Sequence, residues 1–168
     1  AGAICGGDRN SAQIKVMSDN VEEFWAEFCA ATGISSDEPY QVWYFGNTTE
    51  MALELAALVI SGKKFATASL VAVNEIKPDV APIMGGYSVV TNFSGFPLAV
   101  IRTTEIRHLP FAEVDPQFAA DEGEGDQSFE YWRDVHSIYF SREAAELGIE
   151  FNNDSLVCCE RFTLLYPK

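Results

Sequence analysis

The sequence predicts a single α+β domain built on a small curved sheet or barrel, and three observations lead there. Four segments rich in Val, Ile, Thr and aromatic residues, Phe65–Val73, Tyr87–Asn92, Pro97–Leu109 and Leu156–Tyr166, read as strands. Helical periodicity is confined to the first part of the chain and one later insertion, so the elements do not alternate as a doubly wound sheet requires. Between two of the strands, Asn92–Gly95 reads as a hairpin turn, which implies antiparallel pairing.

In chain order, residues 1–13 are small and polar, with Gly2, Gly6 and Gly7, and read as a flexible tail ahead of one domain over 14–168. Val21, Phe24, Trp25 and Phe28 then repeat with helical spacing; Ser18 or Asp19 can cap this helix, and Gly33 ends it. After a turn at Ser35–Pro39, Gln41–Gly46 carries three aromatics in a row. A second helix follows, in which Asn47 and Glu50 have capping-box spacing and Ala52, Leu55, Ala56 and Val59 line one face. Gly62 sits where a helix-terminating glycine belongs. A third helix opens after the acidic loop Asp121–Asp126, capped by Asp126 or Ser128, with Phe129, Trp132, Val135 and Tyr139 on one side and its end at Gly148.

Composition narrows the function classes. The 168 residues are 48% hydrophobic, which supports a sizeable core and argues against disorder. No apolar run approaches the ~18 residues that a membrane span requires, and a cytoplasmic location is expected. A formal charge of −14 excludes general coating of nucleic acid, because such a field repels a polyphosphate unless the few cations are gathered together. Cys5, Cys29, Cys158 and Cys159 form no zinc spacing and fit small apolar residues in a reducing compartment. Cys158 and Cys159, adjacent on a strand, are expected to face opposite ways, one buried and one half-exposed. With His108 and His136 far apart in sequence, no metal and no cofactor is expected. His136 reads as a surface or half-buried residue.

The sharpest local feature is Ser61-Gly62-Lys63-Lys64-Phe65-Ala66-Thr67-Ala68-Ser69, where a helix ends on glycine and delivers two of the chain's five lysines to the start of a strand. Lysines at a helix C-terminus can simply answer its dipole. Alternatively, mutual repulsion and partial burial lower a lysine pKa toward the range of a base. In a regular strand Lys64 and Thr67 would face opposite ways, so joint action needs a turn or bulge between them. The acidic loop likewise has two readings: a solvated lead-in to the helix, or a carrier that brings a carboxylate over Lys64. A calcium loop is a poor third, since the spacing is not that of an EF-hand.

Gly62-x-Lys64-x-x-Thr67 after an amphipathic helix resembles the signature of ASCH-domain proteins, in the PUA-like superfamily. Phe45-Gly46, Lys64-x-x-Thr67-Ala68-Ser69, Ile101-Arg102-Thr103-Thr104-Glu105, Asp121-Glu122-Gly123-Glu124-Gly125-Asp126, Glu130-Tyr131-Trp132-Arg133 and Cys159-Glu160-Arg161-Phe162 resemble, in order, the longer bacterial stand-alone members over about residues 41–167. The resemblance implies a PUA-like β-barrel with flanking helices and a cleft associated with RNA or modified nucleosides. Some members are amidohydrolases of N4-acetylcytidine, and others have been described as ribonucleases. In the amidohydrolases a lysine and a threonine of the signature act with a downstream glutamate. Lys64 and Thr67 carry over directly; for the glutamate, Glu122 is preferred and Glu124 is the alternative.

The expected catalytic set is therefore Lys64, Thr67 and Glu122, with Phe45, Lys63, Arg102, Glu124, Trp132 and Arg133 around the substrate. The expected partner is a small nucleoside-like molecule or a locally gripped RNA. In a hydrolase, Thr67 would attack an amide carbonyl while neutral Lys64 takes its proton, or charged Lys64 would stabilise the oxyanion. A ribonuclease would need Lys63, Lys64, Arg102, Arg107 and Arg133 on one surface. A non-catalytic RNA-binding or ligand-sensing module would use the same lysine as a contact.

Overall fold

The computed structural model describes residues 3–4 and 11–168, with side chains from Asn20 onward. The expected tail, including Cys5, lies mostly outside the described residues; within it, Ala3–Ile4 forms β1 and Ser11 opens α1, Ser11–Thr32. That helix starts ahead of Ser18 and Asp19, whose backbone is already helical, and no glycine or proline interrupts residues 11–19. It ends as expected, with Gly33 at φ +76°.

The next elements are β2 Tyr40–Phe45, α2 Thr49–Ile60, β3 Ala66–Leu70, α3 Val71–Ile76, β4 Tyr87–Thr91 and β5 Pro97–Pro110. Then come α4 Pro116–Asp121, α5 Phe129–Glu146 and β6 Leu156–Tyr166. The strands make a curled, half-barrel sheet in the order β2-β4-β5-β6-β3, with two-residue β1 paired outside β2. All pairings are antiparallel except β2 with β4. The hairpin between β4 and β5 turns on Asn92, whose side-chain oxygen accepts from the backbone N–H groups of Ser94 and Phe96.

Three buried clusters fill the space around the sheet. Val21, Trp25 and Phe28 of α1 pack on Val89 and Val100, while Leu55, Ala56 and Val59 of α2 pack on Trp43, Val90, Ile101 and Phe162. The third joins Ala66, Ala68, Val157 and Cys159 to Phe118, Trp132, Phe140 and Ala144 of α4 and α5. Alternation along β3 and β6 thus sends Ala66, Ala68 and Cys159 toward α5 and leaves Thr67 and Glu160 for the opposite face.

Several expectations change. The strand foreseen to Val73 stops at Leu70, and its remainder begins a short helix. Cys158 and Cys159 are both buried, because β6 lies between β5 and β3 and both its faces are covered. The cap of α2 is Thr48 rather than Asn47: the Thr48 hydroxyl accepts from Met51 N–H at 3.1 Å. A helix that the sequence reading passed over, α4, is capped by Asp115 with Pro116 in its first turn. Among the described residues no helix is long and apolar enough to cross a membrane.

The cap assignment is testable. Thr48→Ala should lower stability to urea by about 1 kcal/mol, whereas Asn47→Ala should stay within about 0.5 kcal/mol of wild type. Equal losses would return the cap to Asn47.

Candidate functional site

The site begins where α2 stops. Gly62 takes φ +78°, and the backbone N–H groups of Lys63 and Lys64 both donate to Leu58 O at 3.0 Å. Lys64 therefore still belongs to the wrapping of the helix end, and β3 starts only at Ala66. The strand alternation that would have parted Lys64 from Thr67 does not apply to it. Phe65 then fixes the link from both sides: its N–H donates to Asp121 O at 3.1 Å, and its carbonyl accepts from Phe162 N–H at 3.0 Å.

Lys63 points to solvent while Lys64 is buried, with 1% of its surface exposed. Its ammonium donates to Glu124 Oε1 at 2.7 Å, to Glu122 Oε1 at 3.3 Å and to the Glu122 carbonyl at 3.4 Å. The ring of Phe45 lies beneath it, 5.3 Å from Nζ. So the acidic loop is not a solvated lead-in. Its first half, Asp121–Glu124, is buried, and both candidate glutamates reach the lysine.

Glycine at 123 makes that approach possible. At φ +67°, a Cβ there would meet the Lys63 carbonyl oxygen at 2.2 Å, so the loop backbone docks directly on the backbone at the helix end. Glu122 is held from its other side by α5. Trp132 Nε1 donates to Glu122 Oε2, and His136 Nε2 lies 3.1 Å from the same oxygen. His136 is buried, stacked on Trp132 with ring centroids 4.3 Å apart, and its Nδ1 donates to Trp132 O at 2.8 Å. This corrects the surface or half-buried placement. The signal was present: Trp132, His136, Phe140 and Ala144 recur every four residues and form the buried stripe of α5.

The electrostatics follow from these contacts. Burial presses the Lys64 pKa down, but Glu124 and Glu122 outweigh it and hold the ammonium above its ordinary value of 10.5. The expected lowering toward a neutral base is thus reversed, because the sequence neighbour Lys63 turns away and two carboxylates close in. Burial pushes the Glu122 carboxyl up; His136 and Lys64 more than offset this and keep it well below the usual carboxylate range. Glu124 is likewise lowered, with Lys64 overcoming burial.

Thr67 is buried three residues further on, in β3, directly opposite Glu160 in the β3–β6 register. Both line a cavity of about 20 Å³ with Trp43, Ser69, Asn74 and Glu143. Glu160 accepts from the Thr103 hydroxyl at 2.6 Å, and burial pushes its pKa up to about 7 against the pull of Thr103 and Lys64. Sequence reasoning placed Glu160 in the motif Cys159-Glu160-Arg161-Phe162 but gave it no role in the site. Its signal was a lone acid inside the apolar run of β6.

The remaining expected contacts lie elsewhere. Phe45 and Trp132 are buried core, bonded into the cluster rather than open for stacking. Arg102 donates to Gly85 O at 3.0 Å and sits over Tyr87, while Arg133 sits over Phe111 and donates to Asn153. Among the described residues no His, Cys, Asp and Glu group has the arrangement to hold a metal ion.

Residues 41–166 match the family model of the ASCH domain. The chain belongs to the ASCH-domain family. Its fold is accordingly α+β and PUA-like. The ASCH domain from Lactobacillus crispatus JV V101 is similar in structure, with a TM-score of 0.77 and 32% identity, covering 91% of this chain and 96% of that one. A protein from Enterococcus faecalis V583 is also similar, with a TM-score of 0.78 and 33% identity over 89% of this chain and 91% of that one. No curated protein matches the chain. In this ASCH domain the signature lysine and the loop between α4 and α5 are locked together by ionic contacts.

The docking of that loop predicts a contrast between glycines. Gly123→Ala should cost more than about 2 kcal/mol in urea unfolding, since it meets rigid backbone as well as an unfavourable φ. Gly33→Ala, at φ +76° with nothing within 4 Å, should cost only about 1 kcal/mol. Comparable losses would show that the close approach at Gly123 is not needed.

Proposed function

We propose that this ASCH domain is an amidohydrolase of an N-acylated nucleoside, with N4-acetylcytidine the substrate to test first. The observation that carries the reading is the sealed Lys64 ammonium, held by Glu122 and Glu124 and placed three positions before the threonine of the same signature. A fixed positive charge excluded from water is well suited to an amide carbonyl that gains negative charge as it becomes tetrahedral. Thr67 supplies the hydroxyl that attacks the carbonyl carbon. Lys64 stabilises the oxyanion as an ammonium, which is the charged of its two anticipated roles. Glu122 and Glu124 position Lys64 and keep it charged; their own depressed pKa values suit that part rather than donating a proton.

A route for the substrate runs over α3. The cavity beside Thr67 shares Asn74 and Pro82 with an outer groove of about 240 Å³, also lined by Val71, Glu75, Ala81, His108 and Cys158. A nucleoside seated in that groove would reach Thr67 after displacement of Asn74 and Pro82. At this size the groove falls short of the roughly 300–1,000 Å³ of small-molecule sites, so a nucleoside needs the added space that displacement opens.

Charge also favours a small neutral substrate over a polyanion. With a formal charge of −14, two of the cations a ribonuclease or RNA-binding module would gather, Lys64 and Arg107, are already engaged by carboxylates. Arg107 pairs with Glu105 and Asp115, Arg161 pairs with Glu105 and Asp121, and Lys64 is buried. Cys29, Cys158 and Cys159 are free and buried, which fits the proposed cytoplasmic site of action.

Cytidine release from N4-acetylcytidine tests the proposal, with the fold of each variant checked by circular dichroism. Thr67→Val and Lys64→Ala should each lower the rate by roughly 100-fold or more, while Lys63→Ala should stay within about threefold of wild type. Lys64→Met keeps the bulk without the charge and should be as inactive as Lys64→Ala. A wild-type protein without activity would remove the proposal, and full activity in folded Lys64→Met would remove the role given to the ammonium.

A further inference from the structure

We propose that Glu160 is the proton acceptor for the Thr67 hydroxyl, and that the cavity between them holds the hydrolytic water. The inference rests on the amidohydrolase reading and names a residue that the reading leaves open. Lys64 cannot fill the part, because its ammonium is charged and its protons are directed at Glu122 and Glu124. The glutamates of the loop cannot either, since both are bound to that ammonium.

Glu160 meets the geometric requirement from the neighbouring strand. Thr67 and Glu160 are direct partners in the antiparallel register of β3 and β6, which places their side chains on one face at adjacent positions. Both line the same cavity of about 20 Å³, enough for one water. Thr103, from β5 on the other side of β6, donates to Glu160 Oε1 at 2.6 Å and fixes the orientation of the carboxyl. Glu143 of α5 contributes a further acceptor to the cavity: its Oε2 is buried and has no hydrogen-bond partner within the protein.

The charged and titratable groups around Glu160 pull in opposite directions. Lys64, at the end of the link before β3, favours the carboxylate, as does the Thr103 donor. Cys158, two residues away on β6, is a buried thiol with its pKa pushed up to about 12, and so adds no charge near neutrality. Glu143 faces the cavity from α5, and its own carboxyl is raised by burial. From α3, Asn74 is neutral and donates to Ser69 at 2.9 Å. The outcome is a Glu160 pKa near 7, where a carboxyl both takes and returns a proton readily.

The proton accounting is complete without any further reactant. Thr67 Oγ1 bonds to the amide carbonyl carbon as its proton passes to Glu160, and Lys64 turns to the oxyanion the N–H of its longest contact, the one to the Glu122 carbonyl at 3.4 Å. Collapse breaks the C–N bond, and Glu160 returns the proton to the departing amine, leaving an acyl ester on Thr67. Water then adds to the ester carbonyl, giving a proton to Glu160. The second collapse breaks the ester C–O bond, releases the carboxylic acid and restores the Thr67 hydroxyl with that proton.

The test is the pH dependence of kcat and KM for N4-acetylcytidine between about pH 5 and 9, in wild type, Glu160→Gln, Glu160→Asp and Thr103→Val. Wild-type activity should fall on the acid side of a limb centred near 7, as Glu160 becomes protonated. Glu160→Gln should lose roughly 100-fold or more in kcat with KM within about threefold, and its residual rate should lack the limb. Glu160→Asp should recover part of the loss. Thr103→Val removes a donor to the carboxylate, so the limb should move to higher pH. A folded Glu160→Gln with near wild-type kcat overturns the assignment and leaves the amidohydrolase reading standing. Should Glu160→Gln fail to fold, Thr103→Val decides alone, and an unmoved limb overturns the assignment. Wild type inert toward N-acylated nucleosides at every pH overturns both.

Discussion

An ammonium group without exposed surface is stable only where opposite charge and hydrogen-bond acceptors are built around it, and in this protein that demand is met at Lys64. Glu124 and Glu122 close on Nζ, and Glu122 is in turn held by Trp132 and His136. The arrangement ties together the end of α2, the start of β3, the loop after α4 and the first turns of α5. Gly62 turns the chain so that Lys64 points inward, and Gly123 lets the loop backbone rest on the Lys63 carbonyl. Removing one member of such a set strands a buried charge, which is worth about 3–5 kcal/mol in other proteins. The cluster is therefore structural and chemical at once.

The charge state decides what chemistry the site can support. A lysine lowered by burial alone would be a base; a lysine between two carboxylates is a fixed positive charge. That moves Lys64 from proton transfer to electrostatic stabilisation and leaves proton transfer to another group, on the face of β3 that carries Thr67. There Thr67, Glu160 and Thr103 meet on adjacent strands, away from the apolar contacts that Ala66, Ala68 and Cys159 make with α5. Two carboxylate environments thus feel the charge of one lysine: one held in its ionised form, the other titrating near neutrality. Environments that push acids apart in this way suit a division of roles.

What the sequence made legible were the features with local causes. The end of α2 at Gly62, the hairpin at Asn92–Gly95, and the bounds of β5 and β6 follow from backbone freedom, turn chemistry and β-branched runs. The helix α3 was not legible, because Val71 and Val73 read as strand until the chain turns over Pro78. Six-residue α4 is too short for periodicity to reveal, although Asp115-Pro116 marks its start. The burial of Asp121–Glu124 depends on Lys64, some sixty positions earlier, and no local pattern carries that information. His136 was legible in principle from its four-residue spacing with Trp132, Phe140 and Ala144, as was the lone acid Glu160 on β6.

The central claim is that Lys64 stays charged in its buried setting, and the side-chain nitrogen resonance of isotope-labelled lysine reads this directly, with Lys64→Met giving the assignment. The account predicts that the Lys64 signal is still mainly that of an ammonium at pH 10.5, the ordinary midpoint for lysine, and passes its own midpoint only above it. A signal already that of a neutral amine near neutrality would contradict it, and would return Lys64 to the role of a base.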